Sequence, residues 1–227
     1  MFLEVIKAIK GQFINYCYLI IDKKQKIAIA VDPVWDEKVF KQYLEFHDVR
    51  LAAILLTHHH LDHSSLSDQL ARKHNVPVFM SKKEAEYYNF SCYGLLPLER
   101  DSDFTIGSTK VEFINTPGHT FGSLCYLINI PFVNQSWLFS GDTLFAEGCG
   151  VCIERGSSPE QLFDSLQKLK EICTESTKVY PGHSFGLDVG QAYKVVQDNN
   201  LYMSITDKSV FVQFRRKSDV KNAFNFV

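Results

Sequence analysis

No apolar run in this sequence reaches the ~18 residues that a membrane-spanning helix requires. The stretch from Phe13 to Ile21 is soon closed by Asp22, Lys23 and Lys24, and it lacks the small-residue cleavage site of a signal peptide. There is also no excess of one charge. With 24 basic and 26 acidic residues the net charge is -2 and the pI near 6.4, so bulk attraction to nucleic acid or to an anionic membrane is not expected. The six cysteines, Cys17, Cys92, Cys125, Cys149, Cys152 and Cys173, are spaced too irregularly for a secreted disulfide scaffold. A cytoplasmic protein is the simplest expectation. No linker, repeat or low-complexity stretch divides the chain, so residues 1–227 are expected to form a single domain.

What is present is an ordinary globular composition, 45% hydrophobic and 22% charged over 227 residues. A core of that size needs no metal to fold, so any metal would serve chemistry. Phe2 to Ile9, Ile14 to Ile21 and Ile27 to Val31 read as an opening β-meander. Trp35 to Phe46 has helical spacing, and Leu51 to Leu56 is a continuous apolar run suited to a strand buried on both faces. Further strands are expected at Val76 to Met80, Phe104 to Ile114 with a break at Gly107 and Ser108, Leu124 to Ile130, Trp137 to Phe139, Val179 to Tyr180 and Val210 to Phe214. Leu66 to His74 is helical in pattern. Ser158, Pro159 and Gln161 make a capping box ahead of a helix that repeats Leu162, Phe163, Leu166, Leu169 and Ile172 on one face.

The strongest chemical signal is Thr57-His58-His59-His60-Leu61-Asp62-His63, which places four potential metal ligands directly after the buried strand. His58 and His60 alternate and so project to the same side, with Asp62 and His63 brought round by a tight turn; His59 points away. Three further segments, Pro117-Gly118-His119, Ser140-Gly141-Asp142 and Pro181-Gly182-His183, each end a strand-like run in glycine followed by a ligand-type residue. Imidazoles and carboxylates together suit zinc, iron or manganese. Five histidines and two carboxylates exceed what one tetrahedral ion needs and fit two metals sharing a bridging carboxylate. His47 and His74 receive no role, and Cys149-Gly150-Val151-Cys152 reads as a loop lining the mouth of the site.

These motifs, in this order and spacing, resemble those of the metallo-β-lactamase superfamily. Asp142 within Ser140-Gly141-Asp142-Thr143-Leu144-Phe145 is similar to the glyoxalase II branch. Gly148 to Cys152, Leu162 to Leu166, Tyr180 to Gly186 and the chain length resemble the zinc hydrolases of bacterial polyketide gene clusters. The resemblance implies an α/β fold, a four-layer αββα sandwich with metals at one edge. It implies two zinc ions, the first held by His58, His60 and His119, the second by Asp62, His63 and His183, with Asp142 as the bridge. Asp62 would also be catalytic, orienting a water and accepting its proton.

The implied activity is hydrolysis of an acyl thioester, either a small molecule or an acyl group on an acyl carrier protein. The acidic surface of such a carrier would dock on Arg215, Arg216, Lys217 or Lys221. Two relatives in the same branch supply alternatives: a persulfide dioxygenase with one iron on His58, His119 and Asp142, and a short hydroxyacylglutathione hydrolase. Against the latter, only Ser184 to Val227 follow the last motif, where glyoxalase II enzymes carry a helical region that grips glutathione.

Overall fold

The computed structural model describes residues 1–99, 102–130, 133 and 135–223, without the side chains of 13, 102 and 219–223. Strands β1 (Phe2–Lys10), β2 (Phe13–Asp22), β3 (Ile27–Val31), β4 (Arg50–Leu55), β5 (Val78–Ser81) and β6 (Leu95–Leu98) form one sheet in chain order. The first three are antiparallel; β3 to β6 run parallel. The second sheet holds β7 (Ser102–Ile106), β8 (Thr109–Asn115), β9 (Leu124–Asn129), β10 (Ser136–Gly141), β11 (Lys178–Pro181) and β12 (Gln191–Ala192), again in chain order. Only the β10–β11 pair is parallel there.

Strand alternation explains why both sheets are covered twice. In β2, Tyr18 and Ile20 face the second sheet and pack with Val111, Phe113, Tyr126 and Phe139, while Leu19 and Ile21 turn to the opposite face. That outer face is closed by α1 (Glu37–His47), which brings Phe40 and Leu44, and, past the short α2 (Leu61–Ser64), by α3 (Ser67–His74) with Leu70 and Ala71; α4 (Lys82–Tyr87) follows β5 and adds Ala85. On the second sheet α5 (Pro159–Ile172), α6 (Tyr193–Asn199), α7 (Leu201–Ser204) and α8 (Lys208–Ala223) bury Leu162, Leu166, Val196, Met203 and Phe211. Two mixed sheets face each other with helices outside, the αββα order that the sequence led us to expect. Among the described residues no helix is long and apolar enough to cross a membrane.

Helix α5 starts as its capping box requires, with the Ser158 hydroxyl accepting from the Gln161 N–H. The expected strand at Val210 to Phe214 instead lies in the first two turns of α8. The Asp207 carboxylate accepts from the N–H groups of Ser209 and Val210 at 2.8 and 3.0 Å, which starts a helix. Phe211, Val212 and Arg215 then share a buried face against the second sheet's helices. Packing outweighs the β-branched bias of Val210 and Val212.

Candidate metal centre

The seven residues proposed from the motifs lie together at one end of the two sheets. β4 runs into His58 and His60, β8 leads to His119, β10 ends at Asp142 and β11 at His183. The turn of α2 begins where His63 N–H and Ser64 N–H donate to the His60 carbonyl, and it swings Asp62 and His63 back towards the strand ends. Cross-sheet hydrogen bonds hold this end closed: Leu124 N–H to the Thr57 carbonyl at 3.0 Å, and Tyr16 N–H to the Gly182 carbonyl at 2.8 Å. The Tyr18 hydroxyl donates to the Pro181 carbonyl beside them.

His60 Nδ1 stands 3.0 Å from His58 Nε2 and 3.2 Å from His119 Nε2. On the other side, Asp62 Oδ2 lies 3.4 Å from His183 Nε2 and 4.0 Å from His63 Nε2. Asp142 sits between the two groups. Its Oδ1 is 3.2 Å from His63 Nε2, and its Oδ2 is 3.7 Å from His119 Nε2 and 3.5 Å from His183 Nε2. Gly182 leaves room for this convergence: a Cβ there would stand 2.2 Å from His63 Cε1 and 2.6 Å from Asp142 Oδ1.

Each of the five imidazoles has its outward nitrogen occupied. His119 Nδ1 donates to the Val151 carbonyl at 2.7 Å and His183 Nδ1 to the Ile14 carbonyl at 2.8 Å. His63 Nδ1 donates to Asp32 Oδ2 at 2.9 Å and His60 Nε2 to Glu154 Oε2 at 2.8 Å. The Thr57 hydroxyl gives its own proton to Asp32, so at 3.0 Å it accepts from His58 Nδ1. The five inward nitrogens therefore present lone pairs to one another and to two carboxylates. His63 Nε2 and Asp142 Oδ1 are buried with no hydrogen-bond partner. Convergent lone pairs and orphaned buried atoms fit divalent cations, and this donor set of imidazole nitrogen and carboxylate oxygen suits zinc.

The electrostatics divide the imidazoles. Burial disfavours charge on His63 and His183, but Asp142 with Asp32 or Asp62 outweighs it and raises both above the usual histidine range, so a cation bound there would take the place of a proton. Burial, reinforced by the neighbouring imidazoles of His63, His60 and His119, holds His58 well below the usual histidine range, which keeps it a neutral donor. Burial disfavours charge on Asp142, but the imidazoles of His183, His63 and His119 outweigh it and hold the carboxyl well below the usual range.

His59 turns away, as its place in the strand led us to expect. Its ring stacks on Tyr88 and its Nδ1 meets Glu84 Oε1 at 2.7 Å. The motifs did not reveal the residues behind the centre. Asp32 accepts from Thr57 N–H as well as from His63, and its signal was a carboxylate directly after the apolar run of β3. Glu84 is fully buried and accepts from His59 N–H, Gly122 N–H and the Thr120 hydroxyl; nothing near it in sequence announces that role. Asn15 Nδ2 donates to the Asp62 carbonyl and to Asp62 Oδ2, at 2.7 and 3.1 Å.

The basic cluster proposed near the C-terminal end is not one surface. Arg215 is only 2% exposed, and its Nη1 donates to the Cys149 carbonyl at 3.0 Å, because α8 turns that position inward. Arg216 pairs with Glu160 at 2.8 Å, Lys217 is exposed, and the side chain of Lys221 lies outside the described residues. Cys149 is buried and Cys152 half-buried, with Cys152 Sγ donating to the Gly118 carbonyl at 3.3 Å, and no disulfide joins them.

The sequence pattern of the Metallo-beta-lactamase superfamily matches residues 11–183. The chain belongs to that superfamily. Among its members, this chain is 42% identical over 221 residues to the "Probable polyketide biosynthesis zinc-dependent hydrolase BaeB" of Bacillus velezensis, covering 97% of this chain and 96% of that protein. It is 33% identical over 193 residues to the hydroxyacylglutathione hydrolase of Pelagibacter ubique, covering 82% of this chain and 72% of that enzyme. The crystal structure of ETHE1 from Myxococcus xanthus superposes with a TM-score of 0.81 over 95% of this chain and 90% of that one; at 24% identity this likeness concerns the fold alone.

Proposed function

We propose that the protein is a dinuclear zinc hydrolase of acyl thioesters, acting in polyketide biosynthesis on an acyl group held by a carrier protein. The observation that carries this reading is the pair of ligand groups with Asp142 between them. His58, His60 and His119 would hold one ion, Asp62, His63 and His183 the other, and Asp142 would be shared by both. Full-length similarity to BaeB supports zinc and the biosynthetic setting.

Zinc bound there supplies a water whose pKa falls to about 7 and a Lewis acid for the thioester carbonyl. The remaining work belongs to the chain. Asn15 fixes Asp62 through both its carbonyl and its carboxylate, so that Oδ2 can orient the attacking water and take its proton. Asp32 and Glu84 hold the loop that carries three of the imidazoles. Leu61, Ile153 and Phe185 are exposed beside His60, Glu154 and His183, which gives the rim apolar contacts for an acyl chain. Arg215 is committed to the Cys149 carbonyl and is not free to take a glutathione carboxylate. With Arg215 buried, any carrier docking on α8 would rest on Arg216, Lys217 or Lys221.

A complete second ligand group favours two zinc ions over the single iron of a dioxygenase. Elemental analysis combined with a thioester panel tests the reading. Close to two zinc ions per chain and faster release from an acylated carrier than from S-lactoylglutathione are expected. One iron per chain with oxygen uptake on a persulfide would overturn it, and rapid turnover of glutathione thioesters alone would restore a short hydroxyacylglutathione hydrolase.

A further inference from the structure

His60 is unlike the other four imidazoles at the centre. They present Nε2 inward and keep Nδ1 on a partner behind them, whereas His60 presents Nδ1 inward and leaves Nε2 facing out. A neutral imidazole with its Nδ1 lone pair directed inward must carry its proton on Nε2, and that proton needs an acceptor. Glu154 Oε2 is that acceptor, 2.8 Å away across 94 residues of sequence. His58 and His63, by contrast, rely on Thr57 and Asp32 at the ends of the adjoining strands β4 and β3.

Glu154 belongs to a strap that crosses this half of the site. Gly150 N–H donates to the Asp142 carbonyl at 2.8 Å, the Val151 carbonyl holds His119, and the Tyr88 hydroxyl donates to the Arg155 carbonyl at 2.8 Å. Tyr88 in turn stacks on His59, with ring centroids 3.8 Å apart. A turn in which the Ser157 hydroxyl and N–H both donate to the Glu154 carbonyl fixes the backbone at that point. The Glu154 side chain itself is 47% exposed, so its bond to His60 adds little to the core.

The geometry points to Glu154 as a positioning residue for the first metal: by holding the Nε2 proton of His60 it sets the ring face and tautomer that let His60 Nδ1 ligate beside His58 and His119. This rests on the two-metal reading above, and it concerns one of the two ions only. Groups that orient a ligand from behind are worth about 10–100-fold in metal affinity.

Zinc affinity of the holoprotein, measured by competition with a coloured chelator, tests the assignment in wild type, Glu154→Ala and Glu154→Gln. The alanine variant is expected to lose about 10–100-fold in affinity for one ion and to keep the other unchanged. The glutamine variant, which retains an acceptor oxygen, recovers most of that loss. Thermal unfolding of the metal-stripped proteins coincides in all three. Wild-type affinity for both ions in Glu154→Ala overturns the proposal, as does a glutamine variant no better than alanine, or a lowered melting temperature with both ions weakened equally. The wild-type zinc content separately decides the two-metal reading.

Discussion

The two halves of the centre are built differently. The half with Asp62, His63 and His183 is backed by the interior of the first sheet: Asp32 at the end of β3 holds His63 and Thr57, and Asn15 near the start of β2 holds Asp62. In the other half His58 is strand-backed too, through Thr57, but His60 and His119 lean on a strap outside the sheets, through the half-exposed Glu154 and the Val151 carbonyl. The groups behind the first half are also core hydrogen bonds. The strap contacts behind His60 and His119 in the second half are ones whose loss leaves the core intact. Damage behind the first half should therefore cost stability and metal together, and damage to the strap should cost metal alone.

The largest effect is expected where the halves join. In Asp142→Asn an amide replaces the carboxylate that both ions would share, which removes its charge and leaves a single neutral carbonyl oxygen as acceptor. On the two-zinc thioesterase reading proposed above, elemental analysis should show the zinc content falling well below two per chain, with activity reduced by about a hundredfold or more. His59→Ala is the control, since its ring faces Glu84 and Tyr88, and its metal content should match wild type. Equal metal loss in the two variants would undo the ligand assignment.

Asp32→Ala asks whether the first half is tied to the fold. It leaves Thr57 N–H and His63 Nδ1 buried without their acceptor, at a cost of about 3 kcal/mol or more. For a chain of this size that lowers the melting temperature by roughly 6–12 °C, readable by calorimetry on metal-stripped protein. Glu154→Ala should leave the same transition in place. If both variants melt alike, the contrast between strand-backed and strap-backed halves is wrong.

Gly182→Ala probes the same half by shape instead of charge. No unusual backbone angle is involved; the added methyl meets His63 Cε1 and Asp142 Oδ1. The variant should fold and bind the second ion about tenfold more weakly, or worse, by chelator competition. Unchanged affinity would mean that His63 has room to retreat, which its bond to Asp32 argues against.

How much of this was legible in the sequence follows from where each residue's partners lie. The seven ligand-type residues stand in the loops and turns that follow strand-like runs, so residue type and local pattern together disclosed them. Asp32 carried a weaker form of the same signal in Val31-Asp32. Glu84 did not, because its partners His59, Thr120 and Gly122 become neighbours only when the two sheets meet. The C-terminal segment was misread twice for one reason. A helix face at Phe211, Val212 and Arg215 is defined by what it packs against, so the β-branched run suggested a strand and the arginine suggested a surface.

The smallest expected effects lie at the rim and ask whether the two halves face different parts of a substrate. Phe185 is 70% exposed and approaches His183 and Phe145, with ring centroids 6.4 and 5.2 Å apart, so it borders the strand-backed half. Ile153 adjoins Glu154 and borders the strap-backed half. An apolar side chain that covers part of an acyl chain contributes a fraction of its full burial value, about 0.5–1 kcal/mol, which is a two- to fivefold change in kcat/KM. Phe185→Ala and Ile153→Ala should be compared on a series of thioesters that share one thiol and differ in acyl length. A residue on the acyl side should reduce kcat/KM for long chains and leave acetyl unchanged. One on the thiol side should reduce every member alike. If Phe185→Ala is length-dependent and Ile153→Ala is not, the acyl group lies over the second metal and the strap covers the leaving thiol. The reverse result exchanges those places, and length-independence in both would remove the rim from acyl recognition.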